Sequence, residues 1–139
     1  MKHLLRTTAL LALLASGAVA DELVDEITGY MDFATYEAGI ILPEQLTEDV
    51  FGSVTFVDTR NAEQFEAGTI PGAINIEWRD VPARLDELPE TGMVVLLCNT
   101  GSLSAQATFA ARLMGRENVL VLQTGLIGWQ ERGAYKPDA

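Results

Sequence analysis

The sequence predicts an α/β domain built on a parallel sheet with helices on both faces. Three observations carry this. Apolar runs at residues 54–57, 93–97 and 119–122 lack the polar alternation of a one-sided sheet and read as strands buried on both faces. Turn-prone residues follow each run, and apolar residues at helical spacing follow the turns. The order strand, loop, helix then recurs without a repeat, low-complexity run or internal linker, as parallel sheets require. Ligands of such sheets sit outside the carboxyl ends of the strands, which makes the residues just after each strand the ones to weigh.

In chain order, residues 1–20 have the three-part pattern of a secretory signal: basic Lys2 and Arg6, a largely apolar stretch at 4–15, and Ala18-Val19-Ala20 before Asp21. The apolar stretch falls short of the roughly 20 residues a membrane span needs. The expectation is a cleavable signal at 1–20, an N-terminal helical extension at 21–38 and the α/β domain at 39–139, periplasmic and with no stable membrane anchor after cleavage. Residues 21–34 are acidic, with Leu23, Ile27 and Met31 spaced as on a short amphipathic helix on the outside of the domain. Ile40-Ile41-Leu42 suits an edge strand, and Pro43-Glu44-Gln45-Leu46 a helix start with Pro in the first turn.

The strand at 54–57 ends in Asp58-Thr59-Arg60. Asn61 can cap a short helix with Gln64 three residues on, and Phe65 would anchor that helix inward. Pro71-Gly72 are favoured centres of a type II turn leading into a short strand at 73–76. A short helix at 81–88 turns Leu85 and Leu88 inward, and 89–92 form a turn. The strand at 93–97 delivers Cys98 to a loop of Asn99, Thr100, Gly101 and Ser102. Leu103, Ala107, Ala110, Ala111 and Met114 then fall at helical spacing, with Ser102 or Ser104 available as N-cap. After the strand at 119–122, a loop and a short helix around Gly125, Leu126, Gly128 and Trp129 reach about Arg132.

Composition narrows the chemistry. Removal of Lys2 and Arg6 with the signal leaves seven basic against twenty acidic residues, a net charge of −13 on the mature part. Such a surface disfavours nucleic acid and anionic membranes. His3, the sole histidine, leaves with the signal, and Cys98 is the sole cysteine. Histidine triads, histidine metal sites, Cys-rich zinc sites and an internal disulfide are thereby excluded from the mature chain. An unpaired cysteine in an exported protein is either buried and inert, bridged to another molecule, or kept for its reactivity. Its place leaves reactivity open beside inertness: backbone N–H groups of a tight loop before a helix form an anion site, which also favours thiolate over thiol. The bland alternative is a small buried hydrophobe.

Four segments, in order and spacing, resemble the rhodanese-like sulfurtransferases of the small, single-domain exported type. They are Val57-Asp58-Thr59-Arg60 with Glu63 and Phe65; Gly68-Thr69-Ile70-Pro71-Gly72-Ala73-Ile74-Asn75-Ile76; Leu97-Cys98-Asn99-Thr100-Gly101-Ser102-Leu103-Ser104-Ala105-Gln106-Ala107; and residues 119–129, ending Gly125-Leu126-Ile127-Gly128-Trp129. The resemblance implies a rhodanese-like α/β fold with a five-stranded parallel core, and Cys98 as the catalytic nucleophile. The loop of Asn99, Thr100, Gly101, Ser102 and Leu103 would bind substrate through backbone N–H groups. Asp58, Arg60 and Ser104 would support it, Asp58 and Arg60 by fixing the strand end through hydrogen bonds.

The implied reaction forms a persulfide on Cys98 from a sulfane-sulfur donor such as thiosulfate, then passes the sulfur to a thiol or to cyanide. No metal or other cofactor is implied. Many family members carry Arg where Leu103 stands, and this loop has no cation, which predicts weak affinity for a dianionic donor, since a charge-assisted bond is worth about 1.5–3 kcal/mol. Thr69 replaces a common His and reads as structural. The related phosphatase branch needs Arg six residues after the cysteine; Ser104 stands there, so dephosphorylation and arsenate reduction are not expected. Two further readings stand beside turnover of a small sulfur donor: a carrier or partner-docking module that takes a protein persulfide, and an inactive fold used for binding. Arg112, Arg116 and Trp129 are placed outside the site.

Overall fold

The computed structural model describes the backbone of residues 2–137 and the side chains of 17–137. The side chains of Lys2, His3 and Arg6, on which part of the signal pattern rests, lie outside the described residues. The chain divides into two compact units, Met1–Thr35 and Tyr36–Ala139. The first is a single helix, α1 (Lys2–Phe33), which runs without interruption through residues 20 and 21 and so is far longer than the helix expected at 21–34. Leu23, Val24, Met31 and Phe33 on it are exposed. Among the described residues no helix is long and apolar enough to cross a membrane.

The second unit carries β1 (Ile40–Ile41), α2 (Glu48–Phe51), β2 (Thr55–Asp58), α3 (Ala62–Ala67), β3 (Ile74–Asn75), β4 (Val94–Leu97), α4 (Ser102–Leu113), β5 (Val119–Leu122) and α5 (Gly125–Arg132). The five strands form one sheet in the order β1-β5-β4-β2-β3, and every pairing is parallel. The predicted architecture is therefore the observed one. β4 lies at the centre, pairing Val94–Leu97 with Thr55–Asp58 on one side and its first three residues with Val119–Val121 on the other.

β4 shows why its sequence has no polar alternation: all four residues are fully buried. Val94 and Leu96 face a core with Val57, Ile76, Val81, Leu85, Ala107 and Ala111, while Val95 and Leu97 face one with Ile41, Leu46, Phe56, Ile70, Leu126 and Trp129. At about 1.5–3 kcal/mol per buried aliphatic side chain, these two layers supply the main drive to fold. Trp129 is 6% exposed and stacks near Phe51, a core residue as expected.

Several local expectations shift. The helix start at Pro43 is only a 3₁₀ turn, Pro43–Gln45, followed by the unforeseen α2. The segment Val81–Glu87 is 3₁₀ rather than α, with a kink at Arg84, although Leu85 and Leu88 are buried as expected. Asn61 does cap α3, its side chain accepting from the Gln64 N–H at 2.9 Å. Phe65, however, is only half-buried and belongs to neither core; Ile70, fully buried, does the anchoring. Gly72, with φ +83°, and the Ala73 N–H to Ile70 carbonyl bond form the expected turn.

Candidate functional site

Cys98 follows the last residue of the central strand and is 3% exposed. Its Sγ accepts from the Gly101 N–H at 3.2 Å and lies 3.4 Å from the Ser104 hydroxyl. Burial pushes the Cys98 thiol up, but the Ser104 hydroxyl and the backbone N–H groups of Ser104, Thr100 and Leu103 outweigh it and hold the thiol below its ordinary value. The single proton of the Ser104 hydroxyl serves either Sγ or the Gly101 carbonyl, which is 3.2 Å away.

The helix after the loop starts earlier than its apolar spacing suggested. α4 begins at Ser102, and its N-cap is Gly101 in the left-handed region, with no side-chain cap. Neither Ser102 nor Ser104 is the N-cap; Ser104 lies inside the first turn, fully buried against Cys98. Leu103 points away from the core and is 40% exposed, while Ser104, Ala107, Thr108 and Ala111 form the buried stripe. Gly101 is required twice over: its φ is +93°, and a Cβ there would lie 3.2 Å from the Leu122 carbonyl oxygen.

The β5–α5 turn backs the loop. Leu126 and Ile127 donate their N–H groups to the carbonyls of Cys98 and Asn99 at 2.8 and 3.1 Å. Those bonds satisfy donors at the start of α5 and fix the peptide planes on either side of Asn99, so that the loop N–H groups turn towards Sγ. Gly125 lets the two backbones approach: with φ +58°, a Cβ would stand 2.4 Å from the Cys98 carbonyl oxygen. Thr124 before it holds φ +63°, the sole non-glycine residue with positive φ among the described residues.

On the other side of β4, Asp58 and Arg60 form a buried pair, 0% and 8% exposed. Asp58 Oδ1 also accepts from the Arg60 backbone N–H at 3.0 Å, and Oδ2 from the Thr69 hydroxyl at 2.7 Å. Arg60 reaches on to the Asn99 Oδ1 at 3.1 Å and the Gly68 carbonyl at 2.7 Å. Thr69 thus has the structural part expected of it. Asn75 Nδ2 ties the carbonyls of Asp58 and Arg60 together at 2.9 and 2.8 Å, and Trp78 N–H binds the Thr59 carbonyl at 2.9 Å. The carboxyl ends of β2, β3, β4 and β5 are laced into one rim.

A pocket of about 350 Å³ opens on this rim. Cys98, Asn99, Thr100, Leu103 and Arg60, all singled out in the sequence, line it. Gly101 and Ser104 are buried around Sγ, Asp58 is buried at Arg60, and Ser102 is exposed, its hydroxyl 3.3 Å from that of Thr100. Sequence reasoning missed Asn61 and Gln64 as wall residues, and with them Glu77, Trp78 and Arg79. The latter three lie two to four residues past the carboxyl end of β3, the signal that could have found them. Arg112 and Arg116 bind backbone carbonyls, including those of Val119 and Leu85, and do not line the pocket. Among the described residues no group of His, Cys, Asp and Glu could hold a metal ion.

Residues 42–132 match the model of the rhodanese-like domain. The chain belongs to the rhodanese-like domain family. A sulfurtransferase of Allochromatium vinosum is 34% identical over 87 residues, which cover 63% of this rhodanese-like chain and 78% of that protein. The HTH-type transcriptional regulator Rv0324 of Mycobacterium tuberculosis is 38% identical over 120 residues, 83% of this chain but 52% of its own, so the chain spans about half of that relative. A Bacillus subtilis protein, YrkF, described as a candidate sulfur carrier, is 29% identical over 77 residues, 55% of this chain and 42% of its own. Among solved structures, a human single-domain sulfurtransferase superposes with a TM-score of 0.61 at 25% identity, covering 68% of this chain and 97% of that one. The family thus includes sulfurtransferases similar to this chain, which supports sulfur transfer as its general chemistry.

Proposed function

We propose that this chain is an exported sulfurtransferase that forms a persulfide on Cys98 and hands the outer sulfur to an acceptor. The observation that carries the reading is the placement of Cys98 on a pocket, its Sγ held by the Gly101 N–H and the Ser104 hydroxyl and its thiol lowered. A thiolate is the nucleophilic form, so a lowered thiol raises the reactive fraction at neutral pH.

With thiosulfate as donor, the Cys98 thiolate attacks the sulfane sulfur. A Cys98 S–S bond forms, the donor S–S bond breaks, and sulfite leaves with the bonding pair. The loop N–H groups and the Ser104 hydroxyl, which stabilise thiolate before attack, can stabilise the terminal persulfide charge afterwards. An acceptor thiolate then attacks the outer sulfur, taking it as its own persulfide and restoring the Cys98 thiolate; cyanide would leave as thiocyanate. No residue must donate or accept a proton for either displacement, which suits a site without histidine. Asp58 and Arg60 act behind the site: Arg60 holds the Asn99 side chain and so one edge of the loop.

The test is the intact mass of the protein before and after thiosulfate. The reading expects a gain of one sulfur atom, removed by cyanide and absent in Cys98→Ser. No gain with thiosulfate, together with a gain from a persulfidated protein, would favour the carrier reading. That second reading has its own support: residues 98–103 contain no Lys or Arg, and the chain carries a net charge of −11.

A further inference from the structure

We propose that Arg79 is the anion-recognising residue of the Cys98 pocket and that Glu77 is its resident competitor, so that the pair selects sulfur donors by their charge. This rests on the sulfur-transfer reading and adds to it the class of donor admitted.

Two arginines line the pocket, Arg60 and Arg79. Arg60 is committed: it is 8% exposed, and its side chain binds both Asp58 oxygens, Asn99 and Gly68. Its charge is neutralised by Asp58, so it offers an incoming anion little net attraction. Arg79 differs in each respect. Its side chain is 72% exposed, and its partner is the Glu77 carboxylate, at 3.0 and 3.1 Å from Nε. Both Nη atoms are therefore left out of that bond.

The segment is nonetheless held in place. The Trp78 N–H binds the Thr59 carbonyl, the Arg79 N–H binds Glu77 Oε2 at 3.0 Å, and the guanidinium carbon lies 5.9 Å from the Trp78 ring centroid. Glu77 is the sole acidic residue lining the pocket, and Arg79 holds its carboxyl below the usual range, so it stays ionised near neutrality. An anionic donor that enters must displace Glu77 from Arg79 or share the guanidinium with it. A guanidinium can bind two carboxylate-like groups through different N–H pairs. The cation that the Cys98 loop lacks is thus supplied from beyond β3, with a counter-ion that penalises weakly charged competitors.

The experiment uses the full chain and its Arg79→Gln, Arg79→Lys and Glu77→Gln variants. Persulfide formation on Cys98 is followed with thiosulfate as probe, and Cys98 alkylation is followed separately with iodoacetate and iodoacetamide, which differ in charge. Arg79→Gln should raise the KM for thiosulfate about three- to tenfold with little change in kcat, an exposed cation being worth less than a buried one. Arg79→Lys should recover most of that loss. Glu77→Gln should move KM the other way. The ratio of iodoacetate to iodoacetamide rates should fall in Arg79→Gln and rise in Glu77→Gln. A ratio that stays put, or moves the same way in both, overturns the assignment even if thiosulfate is turned over normally. A ratio that moves as expected while no persulfide forms upholds anion recognition and refutes thiosulfate turnover instead.

Discussion

At the scale of single residues, Ser104 and Asp58 have separable roles. Ser104 touches Sγ and tunes the thiol, so Ser104→Ala should shift the pH midpoint of Cys98 alkylation upwards. A hydroxyl hydrogen bond of about 0.5–1.5 kcal/mol corresponds to about one pH unit or less. Below the midpoint the variant should react several-fold more slowly, and well above it the two rates should converge. Asp58 is fully buried and does not line the pocket; Asp58→Ala would leave Arg60 buried without its partner, a loss of about 3–5 kcal/mol visible as a lower urea midpoint. Glu77→Gln, which breaks an exposed pair, should leave that midpoint nearly unmoved. Cys98, Asp58 and Arg60 were legible in the sequence because their positions follow buried strands. Ser104 was named as a supporting residue and also as a possible N-cap, since capping and thiol contact both ask for a hydroxyl near the helix start. Only the left-handed Gly101 decides between them.

At the scale of elements, β4 and β5 announced themselves through unbroken apolar runs, β3 through the Pro71-Gly72 turn before it, and Asn61 through its spacing to Gln64. Short elements did not. α2 has four residues and no buried one, so it leaves no periodic trace in the sequence. The 3₁₀ segment Val81–Glu87 buries Val81 and Leu85, a spacing that an α-helix would share. Glu77, Trp78 and Arg79 belong to no regular element, and their place on the pocket follows from the pairing of β3 with β2. The contact between the β5–α5 turn and the Cys98 loop gives a prediction at this scale. Gly125→Ala would force a Cβ into the Cys98 carbonyl and a strained φ at once. Loss of Cys98 alkylation selectivity between iodoacetate and iodoacetamide, and a fall of more than about 2 kcal/mol in unfolding free energy, are expected.

At the scale of the whole molecule, a net charge of −11 repels anionic donors before Arg79 can act on them. Raising ionic strength from about 0.01 to 0.15 M contracts the screening length from about 30 to about 8 Å. The second-order rate of persulfide formation from thiosulfate should therefore rise with salt, and rise more steeply in Arg79→Gln, where only repulsion remains. Stopped-flow measurement across that range checks both slopes. Charge excess is legible in any sequence; where it is locally reversed is not, because that depends on which loops the sheet order brings together.

The bonds from Leu126 and Ile127 to the Cys98 and Asn99 carbonyls make α5 a bracket for a loop 28 residues upstream. Fraying of the C-terminal segment would then release the loop peptides long before the central strand gives way. Inactivation on storage or mild heating should therefore follow the deuterium uptake of the amides of 126 and 127 and run ahead of the loss of the sheet, so that the protein can fail chemically while it still looks folded.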